Sequence, residues 1–409
     1  MRETELLIPA GSLDVLKTAV RYGADAVYIG GEAFGLRAKA HNFSTQEMRE
    51  GIAFAHEHGV RVYVTANIFA HNDDLAGVEA YFEELRSVGP DALIISDPGV
   101  FDIAKRVLPD TELHISTQAN NTNYGTYLFW HRLGAKRVVS ARELSLAELR
   151  ELRAKIPEEM QIESFIHGAM CISYSGRCLL SNYLTGRDAN QGACTHPCRW
   201  KYALVEETRP GEYFPIEENE RGTYIMNSGD LCMIEHIPEL LEAGIDSLKI
   251  EGRMKTALYV ATVARTYRRA IDDYKKDPAL YEQNMEWYKE EIGKCTHRAY
   301  TTGFYFGKPG VDSQIYDNST YLRNCTYLGM VEEVDGDGRC RLEQKNKFSV
   351  GETIEIMKPD GRNIAALVTE ICDLDGNRQE SAPHARQMIW VQFECEDAPE
   401  VGDILRREE

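Results

Sequence analysis

No cysteine precedes Cys171, and no apolar run anywhere in the 409 residues approaches the ~18 residues of a membrane span. The opening MRETELLIPAGS has charge but lacks the apolar stretch of a secretory leader. A cytoplasmic protein with no membrane partner is therefore expected. Positive charge is also in short supply. The 46 Lys and Arg stand against 65 Asp and Glu, a formal net charge of -19, which argues against polyanion binding by the whole surface and leaves only local basic patches for it. No HExxH, GxSxG, Walker or GxGxxG sequence occurs, so no standard hydrolase machinery is recognisable, and His41, His56, His58 and His71 read as ordinary helix and loop residues. What is present, 43% hydrophobic and 27% charged residues, suits a globular chain that folds without disulfide staples.

A phrase recurs: YGADAVYIGG at 22–31, VGPDALIISD at 88–97, LGAKRVVSAR at 133–142 and AGIDSLKIEG at 243–252. Each has a helix-ending glycine, a polar turn and a short apolar strand ending in Gly, Asp, Arg or Glu. With LLIP (6–9), VRVYVTAN (60–67), ELHISTQ (112–118) and IESFIHG (162–168) this makes eight strands. Helical periodicity fills 12–22, 45–58, 75–88, 98–107, 121–133, 144–154 and 230–243, with a further helix near 255–273. Eight βα units predict a closed TIM-like (βα)8 barrel over 1–275; an open, doubly wound sheet is the alternative, because repeats do not reveal strand order. The barrel is interrupted after strand 7 by a cysteine-rich insertion, 169–229. A helical and loop connection is expected over 276–319, and alternating strands punctuated by DGDG (335–338), PDG (359–361) and LDG (374–376) predict a small all-β, barrel-like domain over 320–409.

Five of the ten cysteines cluster: Cys171, Cys178, Cys194 and Cys198, then Cys232 near the start of the 230–243 helix. A dense group of thiols in a reducing compartment points to metal or catalysis rather than disulfides. Four thiolates could hold zinc or a [4Fe-4S] cluster; only Cys194 and Cys198 have the close spacing of a zinc knuckle, so the wider Cys171–Cys178 pair favours a cluster held by separated loops, with zinc or no metal as the alternatives. Loops after barrel strands emerge at the C-terminal mouth, so the barrel would carry all five to that face. Cys295, Cys325, Cys340, Cys372 and Cys395 lie apart, mostly in strand-like runs, and read as buried hydrophobes.

Polar residues at strand ends are candidates by location: Asn67, Asp97, Gln118, Arg142, Glu143, His167, Lys249, Glu251 and Arg253. His196 and the cations Arg177, Arg187, Arg199 and Lys201 flank the cysteines, where they would lower thiolate pKa, offset cluster charge, bind an anionic substrate or simply face solvent. His167, Glu163 and Arg253 are the candidate catalytic groups, and Arg177, Arg199 and Lys249 the candidate cofactor-binding groups.

The string ESFIHGAMCISYSGRCLLS, with Glu163, Phe165, Gly168, Cys171, Gly176, Cys178 and Ser181, resembles the signature of peptidase family U32. ELLIPAGSLDVLKTAVRYGADAVYIGG, NQGACTHPCRWKY and MNSGDLCMIEHIPELLEAGIDSLKIEGRMK extend the resemblance over about the first 270 residues. The family name implies collagenase-like proteolysis. The subgroup this chain looks most like implies instead iron-sulfur-dependent, oxygen-independent hydroxylation of tRNA wobble uridine to 5-hydroxyuridine, with prephenate or a related small anionic metabolite. On that resemblance the ligands of a [4Fe-4S] cluster would be Cys171, Cys178, Cys194 and either Cys198, which is preferred, or Cys232, and zinc could replace the cluster in aerobic preparations. The implied partners are a tRNA anticodon region and a protein partner or electron donor, and RNA would meet Arg177, Arg187, Arg199, Lys201, Arg253 and Lys255. A zinc-stabilised, non-catalytic binding or accessory protein is the third reading.

Overall fold

The structure, a computed structural model, describes residues 3–32, 34, 42–171, 173–174, 177–200, 203–204, 214–215, 227–308, 314–315, 322 and 324–409. His41, Gly176, Lys201 and the side chain of Arg199 lie outside the described set.

The eight expected strands form: β1 (Glu5–Pro9), β2 (Ala26–Gly30), β3 (Arg61–Ala66), β4 (Ala92–Ile95), β5 (Glu112–Ile115), β6 (Arg137–Val139), β7 (Gln161–Ala169) and β8 (Ser247–Ile250). They pair in parallel in sequence order, and β8 pairs with both β1 and β7, closing the ring. The doubly wound alternative falls with that closure, since an open sheet has two free edges. Helices α1 (Leu13–Arg21), α2 (Thr45–Glu57), α3 (Asn72–Val88), α4 (Pro98–Val107), α5 (Tyr124–Leu133) and α6 (Leu146–Lys155) fill the first six connections. Local chemistry fixes their ends. Ser44 and Glu47 make a reciprocal capping box at the start of α2, and left-handed Gly59 follows its last turn. α3 begins three residues before its expected start because Asp74 accepts the His71 backbone N–H at 2.7 Å and caps the extra turn.

One expected helix is partly wrong. Residues 230–243 open as a strand, Asp230–Cys232, antiparallel to β7 and parallel to Tyr300–Thr301, and helix α8 after it spans only Ile237–Glu242, with α7 (Leu180–Thr185) in the insertion before it. Asp230 explains the switch: its carboxylate takes the Arg298 backbone N–H and guanidinium, at 3.0 and 2.6 Å, which ties the segment to a β pairing that helical periodicity does not report.

Two compact units emerge. The barrel unit comprises Met1–Val20, Ala24–Lys255 and Arg298–Tyr321. The other gathers Arg21–Gly23, Thr256–His297 and Leu322–Glu409, so α9 (Ala257–Lys276), the helix after β8, groups with the C-terminal part, together with α10 (Pro278–Gln283) and α11 (Met285–Gly293). Its strands β9 (Cys325–Val334), β10 (Cys340–Glu343), β11 (Thr353–Met357), β12 (Asn363–Cys372), β13 (Met388–Cys395) and β14 (Ile404–Glu408) make an antiparallel six-stranded barrel in the order β11-β14-β9-β10-β13-β12, closed by β12 on β11. The three turn signals fall between its strands, with Gly338, Gly361 and Gly376 all at positive φ. Leu342, Phe348, Ile356, Val368, Val391 and Leu405 fill its core. Cys295, Cys325, Cys340 and Cys372 are buried and Cys395 half-buried, and burial pushes the Cys340 thiol up to about 12, as expected of packing cysteines.

Candidate active site

Side chains inside the first barrel divide by chemistry. Leu7, Ala26, Tyr28, Tyr63, Ala92 and Ile94, from β1 to β4, form an apolar cluster. β5 to β8 contribute His114, Arg137, Glu163 and Lys249, all buried. Glu5 accepts from Arg137 and Tyr63, both at 2.6 Å, from Ser247 at 2.8 Å, and from Arg61. Arg137 reaches on to Glu163 at 3.2 Å, and Glu163 accepts from Lys249 Nζ at 2.6 Å. Burial alone would raise the Glu163 pKa; Lys249 and Arg137 outweigh it and leave the carboxyl below its ordinary value. Glu5 is held likewise, with Arg137 and Arg61 overcoming burial to bring it to about 2. For His114 burial and the Arg137 charge outweigh the hydrogen-bonded Glu112 and nearby Glu163, lowering it to about 4, a neutral ring at physiological pH.

This ionic column ends at the C-terminal mouth, where a cavity of about 350 Å³ opens. Asn67, Gln118, Arg142, Lys249, Glu251 and Arg253 line it, as their strand-end positions suggested. Lys249 Nζ lies 4.3 Å from the Tyr28 ring centre and 5.4 Å from that of Phe165. Arg142 pairs with Glu251 at 3.1 Å and stacks 3.8 Å over Phe165. Arg253 donates to Thr65 Oγ1 at 2.7 Å, and a Cβ on Gly30 would sit 2.3 Å from its Nη1, so glycine there lets the guanidinium keep this position. Gly168 performs a related service: at φ 109 it passes within what would be 2.7 Å of the Glu251 carbonyl, letting the loop after β8 lie against the end of β7. The buried side-chain Oε1 of Gln118 has no hydrogen-bond partner, the one such side-chain atom on a cavity-lining residue among the described residues.

Cys171, Cys178, Cys194 and Cys198 all line the same cavity. Cys232 does not; it lies on the strand beside β7, paired with His167, rather than at a helix start. Desolvation raises the Cys171 thiol pKa, with Cys178 and Cys194 near enough to raise it further and Arg142 opposing them. Backbone N–H groups of Leu180 and His196 point at the sulfurs of Cys178 and Cys194, each at 3.4 Å. Four soft donors facing one cavity, two of them already accepting N–H groups, fit the ligand chemistry of a zinc ion or an iron-sulfur cluster. Their sulfurs are not drawn together: no group of three or more His, Cys, Asp or Glu at metal-holding distance exists among the described residues.

The other candidates sit elsewhere. His167 is buried in β7, its ring 5.6 Å from that of Tyr300, and Glu163 lies beneath Lys249; neither lines the cavity. Glu143 is outside the wall, and Asp97 caps α4 through the N–H groups of Gly99 and Val100. Arg177 stacks 4.9 Å over Phe69 and donates to the Gln118 backbone carbonyl, while Arg187 and His196 reach the wall. Inspection of strand ends alone missed Thr65 and Tyr28, which position the two buried cations. The signal available was a charge inside an apolar strand, at Glu5, Arg137, Glu163 and Lys249.

A (βα)8 barrel whose C-terminal mouth gathers four thiols and a set of fixed cations is built as a barrel enzyme, with its chemistry on the loop-bearing face. The sequence places it more narrowly. The chain belongs to peptidase family U32: the family's sequence profile covers residues 11–315, and that of the "Peptidase family U32 C-terminal domain" covers 323–406. It is 43% identical to "tRNA hydroxylation protein P1" of Bacillus subtilis, over 99% of this chain and 95% of that protein. It is 44% identical to an "Uncharacterized protease" of Methanocaldococcus jannaschii, over 86% of each chain. Identity is 31% to the "23S rRNA 5-hydroxycytidine C2501 synthase" of Escherichia coli, over 94% of this chain and 56% of that longer protein. No described helix is long and apolar enough to cross a membrane.

Proposed function

We propose that this protein hydroxylates C5 of the tRNA wobble uridine, without molecular oxygen, through an iron-sulfur cluster at the barrel mouth and with prephenate or a related anionic metabolite. The supporting observation is the meeting of Cys171, Cys178, Cys194 and Cys198 with Lys249, Arg142 and Arg253 in one cavity, in a chain collinear with a relative named for tRNA hydroxylation. Replacing C–H by C–OH with water as the oxygen source releases two electrons and two protons, and a cluster held by the four thiols would relay those electrons to an external acceptor, work that side chains do not perform. The chain's own residues bind and orient. Lys249, backed by Glu163, and Arg253, pinned by Thr65, present fixed positive charge to a carboxylate or phosphate at no cost in reorganisation when it arrives. Glu251 is engaged by Arg142, which leaves the wall dominated by donors. Cys198 is the fourth ligand in this reading, because Cys232 is not in the wall.

Deleting the gene tests the function. Mass spectrometry of tRNA nucleosides is expected to lose 5-hydroxyuridine and its derivatives, and a plasmid copy of the chain to restore them. Unchanged tRNA, with gelatin cleaved by the purified protein, would favour the proteolysis in the family's name.

A further inference from the structure

Large apolar side chains are exposed along the rim of the cavity, on the segments that carry its thiols. Tyr183 on α7 is 86% exposed, Leu179, the residue just before that helix, 70%, Tyr174 53%, Trp200 48%, and Met254, itself in the cavity wall, 60%. These residues flank lining groups: Leu179 follows Cys178, and Trp200 follows the turn Pro197–Arg199 that contacts α7 and carries Cys198. Charge around them runs against the rest of the molecule. Between 169 and 201 the sequence has Arg177, Arg187, Arg199 and Lys201 against a single acidic residue, Asp188, in a chain of net charge -19. Arg177 and Arg187 are exposed there. Exposed aromatics among like cations suit a flexible polyanion that carries flat apolar rings, because each base can stack while its phosphate meets a guanidinium.

We propose that this rim binds the nucleotides flanking the target base of a single-stranded RNA loop, with Tyr183, Trp200 and Tyr174 as stacking platforms and Arg177 and Arg187 as phosphate contacts. The inference rests on the RNA-hydroxylation reading and adds the surface that holds the strand while one base enters the cavity. An unpaired loop has already lost the pairing that a duplex would have to break, so turning one base inward costs little.

The test is fluorescence anisotropy of the full chain with an anticodon stem-loop containing the target uridine, across a salt series. Tyr183→Ala and Trp200→Ala should each weaken binding about tenfold, with Tyr183→Phe restoring it, and Arg187→Gln should lower the salt slope by about one. Because these side chains are exposed, thermal unfolding should be unchanged. Equal affinity in wild type and both alanine variants would overturn the proposal. Failure of the wild-type gene to restore 5-hydroxyuridine in the deletion strain would sink the hydroxylation reading instead, a result separable from equal affinities.

Discussion

Glu163 sits in the family signature, yet it does not line the cavity; it pairs with Lys249 and Arg137 at the centre of the barrel. Removing one partner from such a buried set leaves charges uncompensated, so Glu163→Gln should lower unfolding free energy in urea by roughly 3–5 kcal/mol. The same column sets an acid response. His114, depressed from 6.5 to about 4, is neutral when folded, so its stability contribution is complete above pH 6.5 and is lost as pH falls to about 4. Glu5, depressed from 4.5 to about 2, contributes fully above pH 4.5 and loses that contribution as pH falls through about 2. Melting temperature against pH should therefore decline in two stages, and His114→Gln should flatten the first, between 6.5 and 4; an unaltered profile would contradict this. At this scale the sequence was legible where a polar residue stood at a strand's end. It misled where the same kind of residue was doing local work, as Asp97 does in capping α4. Type and position along the chain do not say which way a side chain turns.

Elements were the easiest scale to read, because period and punctuation are local. Capping at Ser44, the glycine after α2 and the repeated strand phrase all have physical causes within a few residues. Asp230–Cys232 was opaque for the opposite reason: its partners, Gly168, Tyr300 and Arg298, are distant in sequence, and tertiary pairing overrode helical period. The displacement puts Cys232 on the strand beside β7, outside the cavity wall that Cys198 shares with Cys171, Cys178 and Cys194. Gly168→Ala tests how strictly β7 shapes the site. A side chain at φ 109, meeting the Glu251 carbonyl, should cost more than about 1 kcal/mol in stability. It should also displace Glu251, and with it the Arg142 pair, so activity should fall more than the lost stability explains.

For the molecule as a whole, the eight βα units, the insertion after the seventh strand and the β-rich C-terminal part were accessible from patterns spanning the chain, whereas closure of the ring rests on the pairing of β8 with β1 and β7. The grouping of α9 with the C-terminal unit was not, because that division depends on contacts rather than on composition. The reading of the mouth as a metal-dependent hydroxylation site makes two demands of the intact protein. Purified without oxygen, it should hold about four irons per chain, a content lost in Cys171→Ser, Cys178→Ser and Cys198→Ser but retained in Cys232→Ser; one zinc and no iron in all of them would point to the structural-zinc alternative. The most direct test of the central claim, that the four thiols of the barrel mouth serve RNA hydroxylation, is the 5-hydroxyuridine content of tRNA from the deletion strain carrying Cys194→Ser or Cys232→Ser at equal protein level. The account predicts none with Cys194→Ser and wild-type content with Cys232→Ser; full modification with Cys194→Ser would contradict it.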